Sequence, residues 1–439
     1  FYTVQIGLDG FTASSERYTK KSEAETICNG CSVAIVTKAE CKEKTEKPPA
    51  LYDLTSLQRE ANRVLGYTAQ QTLDYTQNLY EKKLVTYPRT DSRFLTEDMA
   101  HSLPDLVKLA FHTFPVEEVD TVPVHAEQVV NNKKVTDHHA IIPTRELQKC
   151  NLSELPKGEL AILQLISNRL CVAVGDPHRY AETVIELDCG GTAFSAKGKT
   201  IVQNGWKALI HKGSSTKNDE NEQALPAVSV GDERKVLGSE IKEGKTSPPK
   251  HFTEDTLLSA METAGADEMP EDVERKGLGT PATRAGIIEK LVRIGFLERK
   301  GDKKTKYLIP THKGTALVTV MPEQIQSPSM TADWEEKLLL IERKEYSGED
   351  FMQEIKDVIF HLVKHYEVIQ DAEVLMAKER NTIGKCPLCG SPVESRPKGY
   401  FCSARECRFA LWKNNRYFES IGKSLTDSMA EKLLNTGKI

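Results

Sequence analysis

Three observations predict an α+β multidomain fold for this chain. β-type alternation opens the sequence and returns near residue 180, a helical stretch lies between, and four cysteines gather close to the C-terminus. A chain of 439 residues exceeds one hydrophobic core, and about three or four domains are expected. The pattern divides into a discontinuous β-rich domain (1–47 and 179–250), a helical domain inserted into it (48–178), a helical base (251–383) and a cysteine-bearing tail (384–439). Hydrophobic residues make up 39% and charged residues 28%, ordinary values for a soluble globular chain. No apolar run approaches the ~20 residues that span a bilayer, so no membrane partner is expected. The net charge of −5 excludes a globally basic nucleic-acid binder, and any anion-binding surface must be local. Ten cysteines, those outside the C-terminal group scattered, suit a reducing cytoplasm better than a disulfide framework. The chain opens in mid-strand without Met, as a fragment of a longer protein would.

Each element follows from local chemistry. Tyr2, Val4, Ile6 and Leu8 alternate, Asp9-Gly10 signals a hairpin turn, and Ser32–Thr37 is a second β-rich run, so residues 1–47 read as β throughout. Pro48-Pro49 breaks this pattern. Thr68, with Gln71 three residues later, predicts a capped helix through Leu73, Leu79 and Tyr80 that leads into Leu84–Ser92. A second helix is expected from Thr96, with Glu97 and Asp98 at its positive end, and a third over 159–174. Strands return at Tyr180–Leu187, turn at Gly190-Gly191 and continue to about Leu237, while Lys212–Gln223 reads as a polar loop. In the base, Thr253 caps a helix carrying Leu257, Leu258 and Met261. Thr280-Pro281 opens another, with Ile287, Ile288, Leu291 and Val292 on its buried face and Gly295 as its end. Phe296–Arg299 and Lys304–Leu308 follow as two short strands. Helix, helix, hairpin is the order of a winged helix. Its wing carries Arg299, Lys300, Lys303, Lys304 and Lys306, and so many cations on one hairpin favour phosphate contact over a merely solvated face. A long helix comes next, expected to pack through Phe351, Ile355, Ile359, Leu362 and Tyr366.

Chemistry concentrates in three places. In Leu84–Ser92, Tyr87 is followed by Pro88, which stiffens the segment, and Arg89, which can hold a phosphate oxygen. A phenol titrates near about 10 and needs such a cation to act as a nucleophile. A tyrosyl phosphodiester also suits reversible chemistry, because phenolate leaves more readily than an alkoxide. Thr136–Thr144 holds His138 and His139; adjacent histidines rarely face one ion, so a phosphate or hydrogen-bonding role is preferred over a metal, with a histidine capping a buried turn as the plain alternative. Gly277–Arg284 leads two glycines into a helix N-terminus, a ready anion site to which Thr283 and Arg284 can add contacts; read alone it is an ordinary capped helix.

These motifs, in this order and at about these separations, resemble those of type IA DNA topoisomerases, and the match is nearest the topoisomerase III branch. With Phe252–Gly265 and Met330–Leu338 the similarity covers nearly the whole chain. The resemblance implies a toroidal fold: a β-rich arch interrupted by a helical gate domain, and a helical base. It implies that Tyr87 becomes linked to a 5′ phosphate, that Arg89 positions the scissile phosphate and that His138 supports the active site. Thr283 then lies near a single DNA strand, with Thr90, Asp137, His139, Arg284, Arg299, Lys303 and Lys304 as further DNA contacts. The family also has an N-terminal Toprim domain whose Asp-x-Asp-x-Glu motif holds Mg²⁺. No such motif occurs here. The Mg²⁺ ligands are therefore expected outside this chain, which alone should be weakly active or inactive. The partners implied are single-stranded DNA and the Toprim part of the same enzyme, in a bacterial cytoplasm. A non-catalytic single-strand-binding module on the same scaffold is the alternative; a tyrosine recombinase or relaxase lacks support from the motif order.

The tail repeats the cysteine theme. Cys386, Cys389, Cys402 and Cys407 have the spacing of a structural zinc site, although Cys-x4-Cys is looser than usual. The alternative is a zinc-free remnant packed on Tyr400, Phe401, Phe409 and Trp412. Residues 384–439 resemble the C-terminal repeat of topoisomerase III-like proteins, and aromatics among Arg408, Lys413 and Arg416 suit base stacking. Cys28-x2-Cys31 is read as incidental.

Overall fold

The computed structural model describes residues 1–117, 119–135, 137–210, 224–265, 277–302, 304–365, 382–420, 422 and 424–438. Thr136, the Lys212–Gln223 loop, Lys303 and Tyr366 lie outside the described residues. The chain forms two compact units, Phe1–Ile309 with Ser327–Met352, and Pro310–Gln326 with Gln353–Ile439.

In the first unit a seven-stranded antiparallel sheet gathers β1 (Tyr2–Leu8), β2 (Phe11–Ser15), β3 (Val33–Glu46), β4 (His178–Cys189), β5 (Thr192–Gln203), β6 (Glu233–Lys235) and β7 (Gly238–Glu243), in the order β6-β3-β4-β5-β2-β1-β7. The alternation read in the sequence is the pleat: Val4, Ile6 and Leu8 pack with Phe11, Val36, Leu187 and Phe194 on one face. Gly10, at φ 86°, makes the expected turn. Residues 1–47 are not β throughout, however. Lys21–Gly30 is a helix, α1, with only Ala24 buried. Its stripe is too thin to betray a helix in the sequence.

The β3–β4 ladder runs from Ile35 opposite Asp188 to Glu46 opposite His178, so both chain crossings to the helical insertion leave from its end. The insertion carries α2 (Leu54–Leu65), α3 (Ala69–Glu81), α4 (Glu97–Ala100), α5 (Leu103–Thr113) and α6 (Lys157–Ala173). Thr68 and Gln71 form the capping box the sequence predicted, and Asp53 with Ser56 forms another on α2. The helix expected from Thr96 stops after one turn. Thr96 makes no side-chain cap, and Pro104 in the next first turn begins α5 instead. Glu159, buried on α6, receives Asn78 Nδ2 at 3.0 Å and the Lys82 ammonium, tying α3 to α6.

The base supplies α7 (Glu254–Thr263), α8 (Pro281–Arg293) and the hairpin β8 (Leu297–Gly301) with β9 (Lys306–Pro310). Helix, helix and hairpin thus form as read. α8 ends at Arg293, with Ile294 as its cap and Gly295 following at φ 78°. Leu258, Ala285, Ile288 and Leu308 bury together with Ala69 of α3, so the insertion and the base share a small apolar patch. Of the helices that follow, α9 (His312–Val320) belongs to the second unit, α10 (Ser329–Glu342) to the first, and α11 (Gly348–His365) starts in the first and continues in the second. On α11, Phe351 is buried edge-on to Trp334, but Ile359 is 55% exposed, so the expected apolar stripe packs at its start and not along its length.

In the second unit, β10 (Thr382–Lys385), β11 (Pro392–Arg396), β12 (Gly399–Cys402) and β13 (Ala410–Trp412) form a meander. Tyr400 is fully buried there, its hydroxyl donating to Asp427 Oδ1 at 2.8 Å.

The crossing back into the sheet relies on Gly205, at φ 53°, where an added Cβ would stand 2.2 Å from the Pro177 carbonyl oxygen. Gly205→Ala is expected to destabilise the unit by about 2–3 kcal/mol. Urea unfolding followed by the fluorescence of the neighbouring, buried Trp206 measures this; an unchanged midpoint would show that the crossing yields freely.

Candidate active site

Leu84–Ser92 belongs to no helix or strand, bends at Pro88 and Arg89, and alternates in burial from Pro88 to Ser92. Thr90 and Ser92 are buried, Arg89 and Asp91 are exposed, and Tyr87 is half-buried. Arg89 and Asp91 therefore face outward and Pro88, Thr90 and Ser92 inward, with Tyr87 partly exposed and Val85 buried. The inward side is fastened to the second motif. The Thr86 hydroxyl donates to Ala140 O and accepts from Ile142 N–H, both at 3.0 Å, and Thr86 N–H donates to Ile142 O at 3.0 Å. The Thr90 hydroxyl donates to His138 O at 2.9 Å and the Ser92 hydroxyl to Lys134 O at 2.8 Å. Thr144 N–H closes the other end on Leu84 O at 3.0 Å.

This pairing stacks Tyr87 between two rings. His138 lies 4.2 Å from it, centroid to centroid, at an interplanar angle of 39°; Tyr80, from the last turn of α3, meets it edge-on at 5.5 Å. His139 turns elsewhere, with Nδ1 at 2.8 Å from Ala140 O, so the two histidines do not converge on one ion. Sequence reasoning used Tyr80 only as a helix residue. Its spacing of seven from Tyr87 gives no signal, because the chain leaves the helix between them.

Arg89, Thr90, Asp91, Asp137, His138, Thr280, Pro281 and Ala282 line a polar cleft of about 200 Å³. All three sequence motifs therefore meet at one place. A cavity of about 570 Å³ between α2, α6 and residues 206–210 is more apolar but carries none of the motif residues. The smaller cleft is the one that gathers the motif residues.

The third motif is reached through two left-handed glycines, Gly277 at φ 64° and Gly279 at φ 66°. Thr283 completes a capping box: its hydroxyl accepts from Thr280 N–H at 2.9 Å. Arg284 corrects the expectation of a direct DNA contact. It is 3% exposed, donating to Leu278 O and Gly279 O at 3.0 and 3.1 Å and to Thr55 Oγ1 at 3.1 Å. It shapes the glycine turn and ties it to α2. Arg299 is corrected likewise, since its guanidinium is held by Glu254 at 2.8 Å and Glu289 at 2.7 Å. Lys304 remains exposed at the hairpin end.

In the second unit Cys386, Cys389, Cys402 and Cys407 gather with all four sulfurs within 4.8 Å of one another. Backbone N–H groups of Leu388 and Ala404 point at Cys386 Sγ and Cys402 Sγ, each at 3.4 Å. The cluster could hold a metal. Cys28 and Cys31 gather no such set; burial pushes the Cys31 thiol up to about 12.

Residues 1–353 match a family model described as DNA topoisomerase. The chain is 35% identical over 436 residues to DNA topoisomerase 3 of Bacillus subtilis, covering 93% of this chain and 58% of that protein. To DNA topoisomerase 3 of Bacillus licheniformis it is 37% identical over 391 residues (85% and 52%), and to that of Staphylococcus aureus 34% over 409 (89% and 55%). The chain thus spans about half the length of the curated relatives it matches. Among solved structures it resembles full-length topoisomerase I of Thermotoga maritima, with a TM-score of 0.63 at 20% identity over 94% of this chain and 66% of that one. That likeness speaks for the fold alone.

The geometry makes Thr90 a positioning residue. Thr90→Val leaves the His138 carbonyl without its donor and is expected to destabilise by about 1–3 kcal/mol, with Thr90→Ser near wild type. Urea denaturation of the three proteins checks this; equal midpoints for Val and Ser would discount the bond.

Proposed function

As this chain belongs to the DNA topoisomerase family, and resembles its type IA, topoisomerase III-like members, we propose that it carries the strand-cutting tyrosine and much of the single-stranded DNA track of such an enzyme. The observation that carries this reading is the cleft that unites Tyr87's neighbours Arg89 and His138 with the N-terminus of α8. In the proposed step the Tyr87 hydroxyl oxygen attacks a backbone phosphorus. A phosphotyrosine bond to the 5′ side forms, the bond to the 3′ oxygen breaks, and that oxygen takes up the proton. The reverse attack reseals the strand, so no ATP is consumed. Arg89, exposed at the cleft, holds the phosphate and offsets the charge of the transition state. His138, against the phenol ring, fixes its direction. Asp137, His139, Thr283 and Lys304 remain assigned to the DNA path, with Thr90 placed behind it. Lys303 keeps the role the wing gave it.

The domains read from the sequence are kept in this proposal: arch (1–47, 179–250), gate (48–178), base (251–383) and cysteine repeat (384–439). Among the described residues the one cluster suited to a metal is sulfur-only, which does not fit a hard cation such as Mg²⁺. Mg²⁺ is assigned to the Toprim part of the family plan, the proposed partner, and no step here runs through it. Zinc fits the cysteines: Zn–S bonds of about 2.3 Å place tetrahedral sulfurs about 3.8 Å apart. The observed 3.6 Å (Cys386–Cys407) and 3.4 Å (Cys389–Cys402) are close to that. Its role is to close the meander. The site of action is the cytoplasm, with the DNA; no described helix is long and apolar enough to cross a membrane.

Mixing the chain with a Toprim fragment of a relative, Mg²⁺ and end-labelled single-stranded DNA should yield a covalent adduct. Tyr87→Phe should abolish it and Arg89→Lys lower its yield about 10–100-fold. Binding without any adduct would favour the non-catalytic module instead. Elemental analysis should find about one zinc per chain, lost in Cys386→Ser. Equal metal content in both proteins would sink the zinc assignment.

A further inference from the structure

Beyond the apolar patch around Ala69, charge carries the junction of the helical insertion with the base. Arg59 of α2 donates from Nε to Asp255 Oδ1 of α7 at 2.9 Å. Arg93, just after the tyrosine segment, donates from Nε to Asp53 Oδ2 at 2.6 Å within the insertion. Both arginines then share one carboxylate of the base, Glu262, at 3.4 Å from Arg93 Nη2 and 3.8 Å from Arg59 Nη1. These two contacts are long, and Glu262 is 30% exposed, so the share of the clasp they supply is weak. The Asp53 contact is short, and its carboxylate is 5% exposed. Burial opposes the charge on Arg93, and the Asp53 and Glu262 carboxylates together more than offset it.

A cleft of about 630 Å³ opens on this clasp. Arg59, Arg93, Lys133 and Lys134 line it together with Asp53, Asp91 and Glu262. Asp91 also lines the cleft of Arg89 and His138, so the two spaces are neighbours along one chain segment. We propose that this second cleft is a phosphate subsite for the strand bound at Tyr87, and that the phosphate displaces Glu262 from Arg93 and Arg59, loosening the insertion from the base as the strand enters. The inference rests on the DNA reading above and adds to it a site and a trigger. A phosphodiester offers two oxygens to the guanidinium fork and gains from Lys133 and Lys134 as well. Glu262 offers two long contacts. Since Asp53 keeps Arg93 Nε, the exchange frees the outer arm without losing the aim of the side chain.

The junction contains its own reporter. Ala69 N–H, in the insertion, donates to Glu254 Oε2 of the base at 2.6 Å, so exchange of that amide follows opening of the junction. The experiment uses the full chain and a fluorescein-labelled oligothymidylate, read by anisotropy across a salt series, with hydrogen exchange at Ala69. Glu262→Gln should bind about 3–10-fold more tightly, the loss of one exposed competitor. Joint Lys133→Gln/Lys134→Gln substitution should weaken binding and lower the salt slope by about one per lost phosphate contact. Ala69 exchange should quicken in Glu262→Gln and in wild type on adding oligothymidylate, but not on adding inorganic phosphate at equal ionic strength. Wild-type binding with unchanged affinity in both variants, or with slower Ala69 exchange, would overturn the subsite while leaving the DNA reading intact. Quickening by inorganic phosphate alone would overturn its assignment to a strand. If wild type binds no oligothymidylate, the DNA reading fails and the subsite with it.

Discussion

Everything at the candidate site depends on one short backbone pairing, that of Leu84–Ser92 against His138–Thr144. A free extended loop would leave Tyr87 able to sample many directions, and the ordering entropy would be lost again in every reaction cycle. Here the Thr86 hydroxyl acts as donor to one strand-like neighbour and acceptor from another, and Thr90 repeats the contact four residues on. Thr86 and Thr90 are thereby pinned to the second motif, while Arg89 and Asp91 are exposed and Tyr87 is half-buried. The same bonds bring His138 against the tyrosine ring. Motifs about fifty residues apart in sequence are therefore one structural object, and neither would hold its shape alone.

That object is carried by a helical insertion with two very different attachments. The β3–β4 ladder fastens it to the sheet through many backbone hydrogen bonds in fixed register. Side-chain contacts near the crossing add to this: Trp206 Nε1–H donates to Glu46 O at 3.1 Å, and His125 Nε2 lies 2.8 Å from Asp176 Oδ1. Bending such a connection means flexing two paired strands together, which preserves its hydrogen bonds. Among the described residues the cleft side has no such ladder. There, a capped helix N-terminus faces the tyrosine segment across a polar gap.

The sequence was most legible where structure is local. Capping boxes at Thr68, Thr253 and Thr280, the Gly10 turn and the helix-helix-hairpin order all depend on neighbours within a few residues. The three motifs also meet at one cleft, which spacing alone could not have shown. The failures are non-local or weakly patterned. Helix α1 buries a single alanine, so its periodicity never rises above its charges. Pro104 restarts a helix that the acidic first turn at Glu97 seemed to begin well. Arg284 and Arg299 looked like phosphate ligands because a sequence displays charge but not its partner. Their partners are Thr55, Glu254 and Glu289, of which Thr55 is 229 positions away from Arg284.

The contrast between the two attachments has a consequence for motion. A hydrogen-bonded ladder resists shear through geometry, and salt scarcely affects it. The interface around Ala69 is joined in part by the partly exposed Arg59–Asp255 and Arg93–Glu262 pairs, which water and counterions can weaken, and in part by the buried Arg284–Thr55 and Ala69–Glu254 hydrogen bonds. If one junction must part while the other only flexes, the charged one is the weaker, and it is the one beside the tyrosine. Separation there opens the cleft itself. It carries Tyr87, Arg89 and His138 away together on the insertion, leaving Thr280 and its helix on the base.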